Sequence, residues 1–168
     1  MFDFTDKMQW YFYYSSTDPD FKGSYREQDM LRQTIAGLNL LGQVLARHKD
    51  KTLRIATKGP PKNLRWPALP EYPLTDVFPA DHIRQSTEIS LSNMGLQTVD
   101  LQQLHVWTDA WAEDDRWTRA VDDLKREGLI RGFGISINRW QPTSVLKALS
   151  TGVVDSVQVV YNIFDQNP

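Results

Sequence analysis

Residues 99–136, VDLQQLHVWTDAWAEDDRWTRAVDDLKREGLIRGFGIS, decide the fold. They open on VDLQQLHVW, which reads as a strand, and close on LIRGFGIS, a shorter apolar strand. Between the two, Trp117, Ala120, Val121 and Leu124 recur at i, i+3, i+4 and i+7, the spacing of one helix face. Glu113, Asp114 and Asp115 stand where a helix N-terminus favours negative charge, and Gly128 stands past the other end. Strand, helix and strand in that order predict a parallel pair with a right-handed crossover.

The same unit repeats on either side. Upstream, Leu38, Leu41 and Leu45 in LNLLGQVLARH have helical spacing, HKDK is a polar break, and LRIAT reads as a strand. Residues 59–81 contain Pro60, Pro61, Pro67, Pro70, Pro73 and Pro79, which predict a long loop free of helix and ladder directly after that strand. Ile83, Thr87, Leu91 and Met94 mark one face of a second helix, ended by Gly95. Downstream, Pro142 in a first turn, Val145, Leu146 and Leu149 turned inward and Gly152 beyond the end predict another helix. SVQVVYNIF then closes the series as a strand. The first 37 residues hold four of the six tyrosines and sustain a period of neither 2 nor 3.6. They are set apart as an irregular segment, 1–37, from a domain spanning 38–168.

With 168 residues, 40% hydrophobic and 24% charged, the chain has material for one sizeable core. Lys+Arg 19 against Asp+Glu 21 leaves no positive excess for a phosphate backbone or an anionic membrane, so neither a nucleic-acid nor a membrane partner is expected. There is no cysteine, which removes disulfide scaffolds, thiolate metal sites and cysteine nucleophiles together. His48, His82 and His105 share no ligand spacing, and no metal is expected. No apolar run reaches the roughly 18 residues of a membrane span, and the N-terminus lacks a signal-peptide layout, so a cytoplasmic location is expected.

Two folds fit a βαβαβαβ series. A doubly wound sheet normally carries G-x-G-x-x-G after its first strand, and this chain has no such turn. A (β/α)8 barrel places its chemistry at the C-terminal ends of several strands. Here those ends carry Lys58, His105, Ser136 with Asn138, and Gln158, which favours an α/β fold of the TIM-barrel type. A complete barrel runs to about 250 residues, so these units predict part of one.

Lys58 at a strand end suits polarising a hydroxyl or binding a phosphate. His105, between Leu104 and Val106, suits orienting a carbonyl or donating a hydrogen bond. Ser136, Asn138 and Gln158 are neutral donor–acceptor groups of the kind that fix a flat, amide-bearing ring. Singly, each also fits an ordinary place in a core, cap or loop; successive strands converging on one mouth carry the functional reading. Trp107, Trp111 and Trp117, without a basic groove, read as core and pocket wall.

These residues resemble the aldo-keto reductase family. The matching stretches, in the family's order, are LLGQVLARHKDKTLRIATK, SLSNMGLQTVDLQQLHVW, AVDDLKREGLIRGFGISINRW and VDSVQVVYNIFDQNP, over about residues 38–168. The resemblance implies a barrel enzyme that transfers hydride from NADPH to a small aldehyde or ketone. It further implies a Tyr as general acid, a Lys lowering that Tyr's pKa, an Asp holding the Lys and a His orienting the carbonyl. Lys58 in IATK and His105 in LHVW match the catalytic Lys and His, and Ser136 and Gln158 match the residues that hold the nicotinamide carboxamide. The family's asparagine position holds Ile137, with Asn138 one residue later. Asp6 and Tyr11 have the family's Asp-to-Tyr spacing, without the glycine that follows it. The family continues beyond Pro168 through two more strands. That implies an incomplete barrel with open sheet edges and little catalysis by these residues alone. The alternative it leaves is a non-catalytic partial barrel that associates with another polypeptide through those edges.

Overall fold

The computed structural model describes residues 27–47, 53–138, 140–164 and 166, with side chains from residue 35 onward. Four parallel strands, β1 (Ala56–Gly59), β2 (Val99–Leu104), β3 (Ile130–Ser136) and β4 (Ser156–Gln158), lie side by side in chain order. Helix α1 (Glu27–Arg47) precedes β1, and α2 (Leu74–Val77) and α3 (Ala80–Met94) lead to β2. Helix α4 (Asp115–Arg126) connects β2 to β3, and α5 (Leu146–Ser150) connects β3 to β4. This is the repeating unit of a (β/α)8 barrel.

The register sets which residues share a level. Lys58 pairs with Gln103, Gln103 with Gly134, and Gly134 with Ser156. Nearer the C-terminal ends, Ser136 pairs with Gln158, and the His105 N–H reaches Gly59 O at 3.1 Å just past β2. Because successive side chains point to opposite faces, one face carries Lys58, Gln103, His105, Gly134, Ser136 and Gln158. The opposite face carries Leu104, Phe133 and Ile135, all buried in the apolar core.

That core is built around aromatic rings. Trp117, on the inward face of α4, stacks on Phe133 at 6.0 Å and meets Trp107 edge-on at 5.1 Å. Trp107 meets Trp111 edge-on at 5.6 Å, and Trp111 meets Phe78 at 6.2 Å. The Trp111 indole N–H donates to Tyr72 O at 2.8 Å, fastening the loop after β1 to the loop after β2. The expected inward faces of α3 and α4 are the observed ones, and Gly95 and Gly128 follow them with φ of +67° and +73°.

Two carboxylates fasten the N-terminal ends of the strands. Asp100 accepts from Ile55 N–H at 2.9 Å and from the Arg131 guanidinium at 2.9 Å, tying β2 to both neighbours. Asp155 accepts from Phe133 N–H at 2.8 Å and from Lys125 Nζ at 2.7 Å, so β4 is held to β3 and α4.

Several elements differ from the sequence expectation, each for a local reason. The strand read as LRIAT forms at Ala56–Gly59, because the Ile55 N–H turns to the Asp100 carboxylate and the Lys58 level pairs with Gln103. The proline-rich loop contains α2 after all: Pro73 and Pro79 occupy the N-cap positions of α2 and α3, where a helix needs no amide hydrogen. Helix α5 buries Ala148, with Val145 buried at its N-cap and Pro142 ahead of the helix rather than in its first turn, whereas Leu146 and Leu149 face outward. The Lys147 and Ala148 amides in its first turn bond the Asp109 carboxylate at 2.9 and 3.3 Å, and this sets its rotation. Strand β4 stops at Gln158 because its partner β3 ends at Ser136, and residues 159–164 are exposed or nearly so. Helix α1 starts at Glu27, ahead of the leucines that announce it.

Gly42 on α1 lies against the C-terminal end of α3, where an added Cβ would come within 2.8 Å of Met94 O. Gly37 on the same helix has open space at that position. Gly37→Ala should therefore raise stability by about 1 kcal/mol through helix propensity, while Gly42→Ala lowers it. Trp117→Ala should cost roughly 3–5 kcal/mol. Urea unfolding midpoints of the three variants check both statements; equal midpoints for the two glycine variants would contradict the close α1–α3 contact.

Candidate active site

Each inward-facing polar group at the strand ends is placed by its strand. Lys58, in β1, extends across β2 and donates from Nζ to Ser136 Oγ at 3.2 Å. Removal from water lowers the Lys58 pKa to about 8, so it still carries its charge at pH 7. His105 continues β2 one level above Gln103. Burial, and then the nearby Lys58 charge, lower its pKa to about 4, which leaves a neutral imidazole with one N–H to donate. Trp66, from the loop after β1, meets the His105 ring edge-on at 5.6 Å.

Ser136 and Gln158 are register partners on adjacent strands. Lys58 supplies the proton in its bond to Ser136 Oγ, so the serine hydroxyl keeps its own hydrogen to donate. The Gln158 Oε1 is buried without a hydrogen-bond partner. A hydroxyl donor and an unmet acceptor side by side match the two halves of a primary carboxamide. Asn138 is less available: its Oδ1 accepts from Trp140 N and Gln141 N, both at 2.9 Å, leaving only its amide N–H groups to serve a ligand. Ile137 sends its own backbone N–H to Gln158 O at 3.1 Å.

A groove of about 280 Å³ opens beside these groups, with Trp66, Trp107, Trp140 and Ile137 as apolar wall and His105, Ser136 and Asn138 as polar lining. Lys58, His105, Ser136 and Gln158 are thus brought to one end of one face, with Asn138 at its rim. Asp6 and Tyr11 lie outside the described residues. Among the described residues, no three His, Asp or Glu side chains converge as metal ligands, and no helix is long and apolar enough to cross a membrane.

The sequence does not single out Gln103 or Trp140. The Gln102-Gln103 pair in the middle of an otherwise apolar strand was a legible signal. Trp66 and Trp140 sit in irregular segments with no period to place them.

Parallel βα units with polar groups gathered at the C-terminal strand ends define part of a barrel of the enzyme-bearing kind. A model of the aldo/keto reductase family matches residues 25–168. YqkF, an uncharacterized oxidoreductase of Bacillus subtilis (strain 168), is 32% identical over 89 residues, which are 52% of this chain and 28% of that protein. Among solved structures, the holo form of aldo-keto reductase AKR11C1 from Bacillus halodurans is similar with a TM-score of 0.59 and 24% identity, over 79% of this chain and 42% of that one. Glycerol dehydrogenase AKR11B4 from Gluconobacter oxydans is similar with a TM-score of 0.59 and 25% identity, over 79% of this chain and 39% of that one. The chain belongs to the aldo/keto reductase family, and it spans less than half the length of these relatives.

The His105 shift has a defined sign. Its folded pKa, about 4, lies below the ordinary 6.5, so between those values the unfolded chain binds more protons than the folded one. This group therefore makes stability rise from about pH 4 to 6.5. His105→Asn should flatten that part of the stability curve, measured by urea unfolding at half-unit pH steps; an unchanged slope would place His105 in water.

Proposed function

We propose that this site reduces an aldehyde or ketone with NADPH. The observation that carries the reading is the Ser136 hydroxyl and the unmet Gln158 Oε1 in register, one level from a charged lysine and beside a neutral histidine. When bound, a reduced nicotinamide supplies the hydride that, with one proton delivered to oxygen, turns a carbonyl into an alcohol. Ser136 donates to the carboxamide oxygen, Gln158 Oε1 accepts from the carboxamide nitrogen, and Asn138 contributes an amide N–H at the rim. His105 donates its single N–H to the substrate oxygen and fixes the carbonyl's direction. Lys58 brings a positive charge into a poorly solvated site, where it stabilises negative charge building on oxygen. Trp66 and Trp107 exclude water from one side of the groove. Under this reading the partner is a small carbonyl compound, and residues 38–168 form the working unit.

Carbonyl reduction followed by loss of NADPH absorbance tests the proposal. Lys58→Met should remove turnover while leaving the unfolding midpoint near that of the parent chain. NADPH at about 100 times its dissociation constant should stabilise the folded state by roughly 2.7 kcal/mol. An unchanged midpoint with saturating NADPH would overturn the nicotinamide assignment of Ser136 and Gln158.

A second reading, association through the sheet edge, is favoured by one observation. Beyond Gln158, Val159, Val160, Tyr161, Ile163 and Phe164 are all exposed apolar or aromatic residues. Light scattering of the purified chain, with Ile163→Asp and Phe164→Asp as comparison, would show self-association that the charges relieve.

A further inference from the structure

Trp66 meets His105 edge-on and lines the groove, yet its indole is 37% exposed and stands outside the buried core. Core packing therefore does not fix it. The turn that leads to it does. Pro61 O accepts the Leu64 N–H at 3.0 Å, and Asn63 Oδ1 accepts the Arg65 N–H at 3.1 Å. Between these bonds Leu64 stands at φ +52°, the one non-glycine residue at positive φ among the described residues. A Cβ disfavours that conformation, and such strain persists only where surrounding contacts enforce it. The contacts beyond the turn run through Tyr72. Its hydroxyl accepts from Arg65 Nη1 at 3.1 Å, the Arg65 guanidinium lies 5.4 Å from the centre of its ring, and its backbone oxygen accepts from the Trp111 indole at 2.8 Å. One residue thus grips the neighbour of Trp66 with its side chain and the loop after β2 with its main chain. An arginine–tyrosine pair this exposed adds little to the stability of the fold, so its effect falls on the turn.

We propose that Tyr72 and Arg65 are positioning residues for Trp66: together they hold the indole closed over His105, and the fixed wall limits the size of the group that a carbonyl substrate carries beside its reacting carbon. With the pair intact, the turn keeps one arrangement and His105 is covered on the side of the loop after β1. With the pair broken, Leu64 is free to leave the left-handed region, the turn relaxes and Trp66 moves away from the imidazole. The size limit rests on the reductase reading; the cover over His105 rests on the geometry alone.

The two are separated by measuring His105 directly. The rate at which diethyl pyrocarbonate modifies His105 at pH 7.5, read by peptide mass spectrometry, reports access to the ring. Protonation does not confuse it, because an imidazole with a pKa of about 4 when covered and 6.5 in water is largely neutral at that pH either way. His82, whose Nε2 lies 2.8 Å from Pro60 O ahead of the turn, is the internal reference. Arg65→Met should speed modification of His105 about fivefold, and Tyr72→Phe, which keeps the ring, by less, with the His82 rate unchanged. Trp66→Ala should speed it further. Adding Arg65→Met to Trp66→Ala should then change nothing more, since the pair acts through the indole. Parent-like His105 rates in both Arg65→Met and Tyr72→Phe, or additive effects in the double variant, would overturn the proposal. In the reduction assay, the ratio of kcat/KM for 2-naphthaldehyde to that for benzaldehyde should rise about tenfold in Trp66→Ala and in the same direction in Arg65→Met, with KM for NADPH within about twofold. Faster His105 modification with an unmoved ratio would overturn the size limit. The same acceleration in a chain whose parent shows no turnover would overturn the reductase reading and uphold the hold on Trp66.

Discussion

The parallel register of the four strands is the constraint on which everything else rests. Lys58, Gln103, Gly134 and Ser156 share one level because each strand is offset from its neighbour by the hydrogen-bond ladder, and Ser136 and Gln158 share the next. A slip of one residue in any strand would turn its functional group into the helix layer and bring an apolar side chain inward. The aromatic packing of Trp117 on Phe133 opposes such a slip from the other side of the sheet, since Phe133 and Gly134 exchange faces together.

The two ends of the sheet do different work. At the N-terminal ends, Asp100 and Asp155 spend their carboxylates on neighbouring backbone amides and cations, and the strands are held in place there. At the C-terminal ends, polar groups such as Gln158 Oε1 stay unmet. A ligand-binding site needs unmet groups, and a fold tolerates them only where its stability comes from elsewhere.

Much of this was legible in the sequence. The faces of α3 and α4 followed from periodicity, because both helices bury one continuous stripe and end at a left-handed glycine. Lys58, His105, Ser136 and Gln158 were legible as the polar residues that interrupt or end apolar runs. What escaped reading depended on contacts distant in sequence. The rotation of α5 is set by Asp109, far upstream, and the end of β4 by the end of β3. Asn138 read as a free ligand group because its capture by Trp140 N and Gln141 N is a matter of local turn geometry, which composition does not reveal. Gln103 escaped because a glutamine inside a strand has no fixed meaning until its neighbours in the sheet are known.

The Asp109 carboxylate binds three groups: the Trp107 indole N–H and the Lys147 and Ala148 amides in the first turn of α5. It belongs to the loop after β2, yet it completes the helix after β3, so two successive βα units share one residue. Barrel proteins diversify by exchanging loops between otherwise similar scaffolds. Here the loop that carries Trp107 and Trp111 is not a separable module, because replacing it removes the start of a helix one unit further on. Any exchange between this chain and its relatives, whether by natural recombination or by design, has to carry residues 107–150 as a single block.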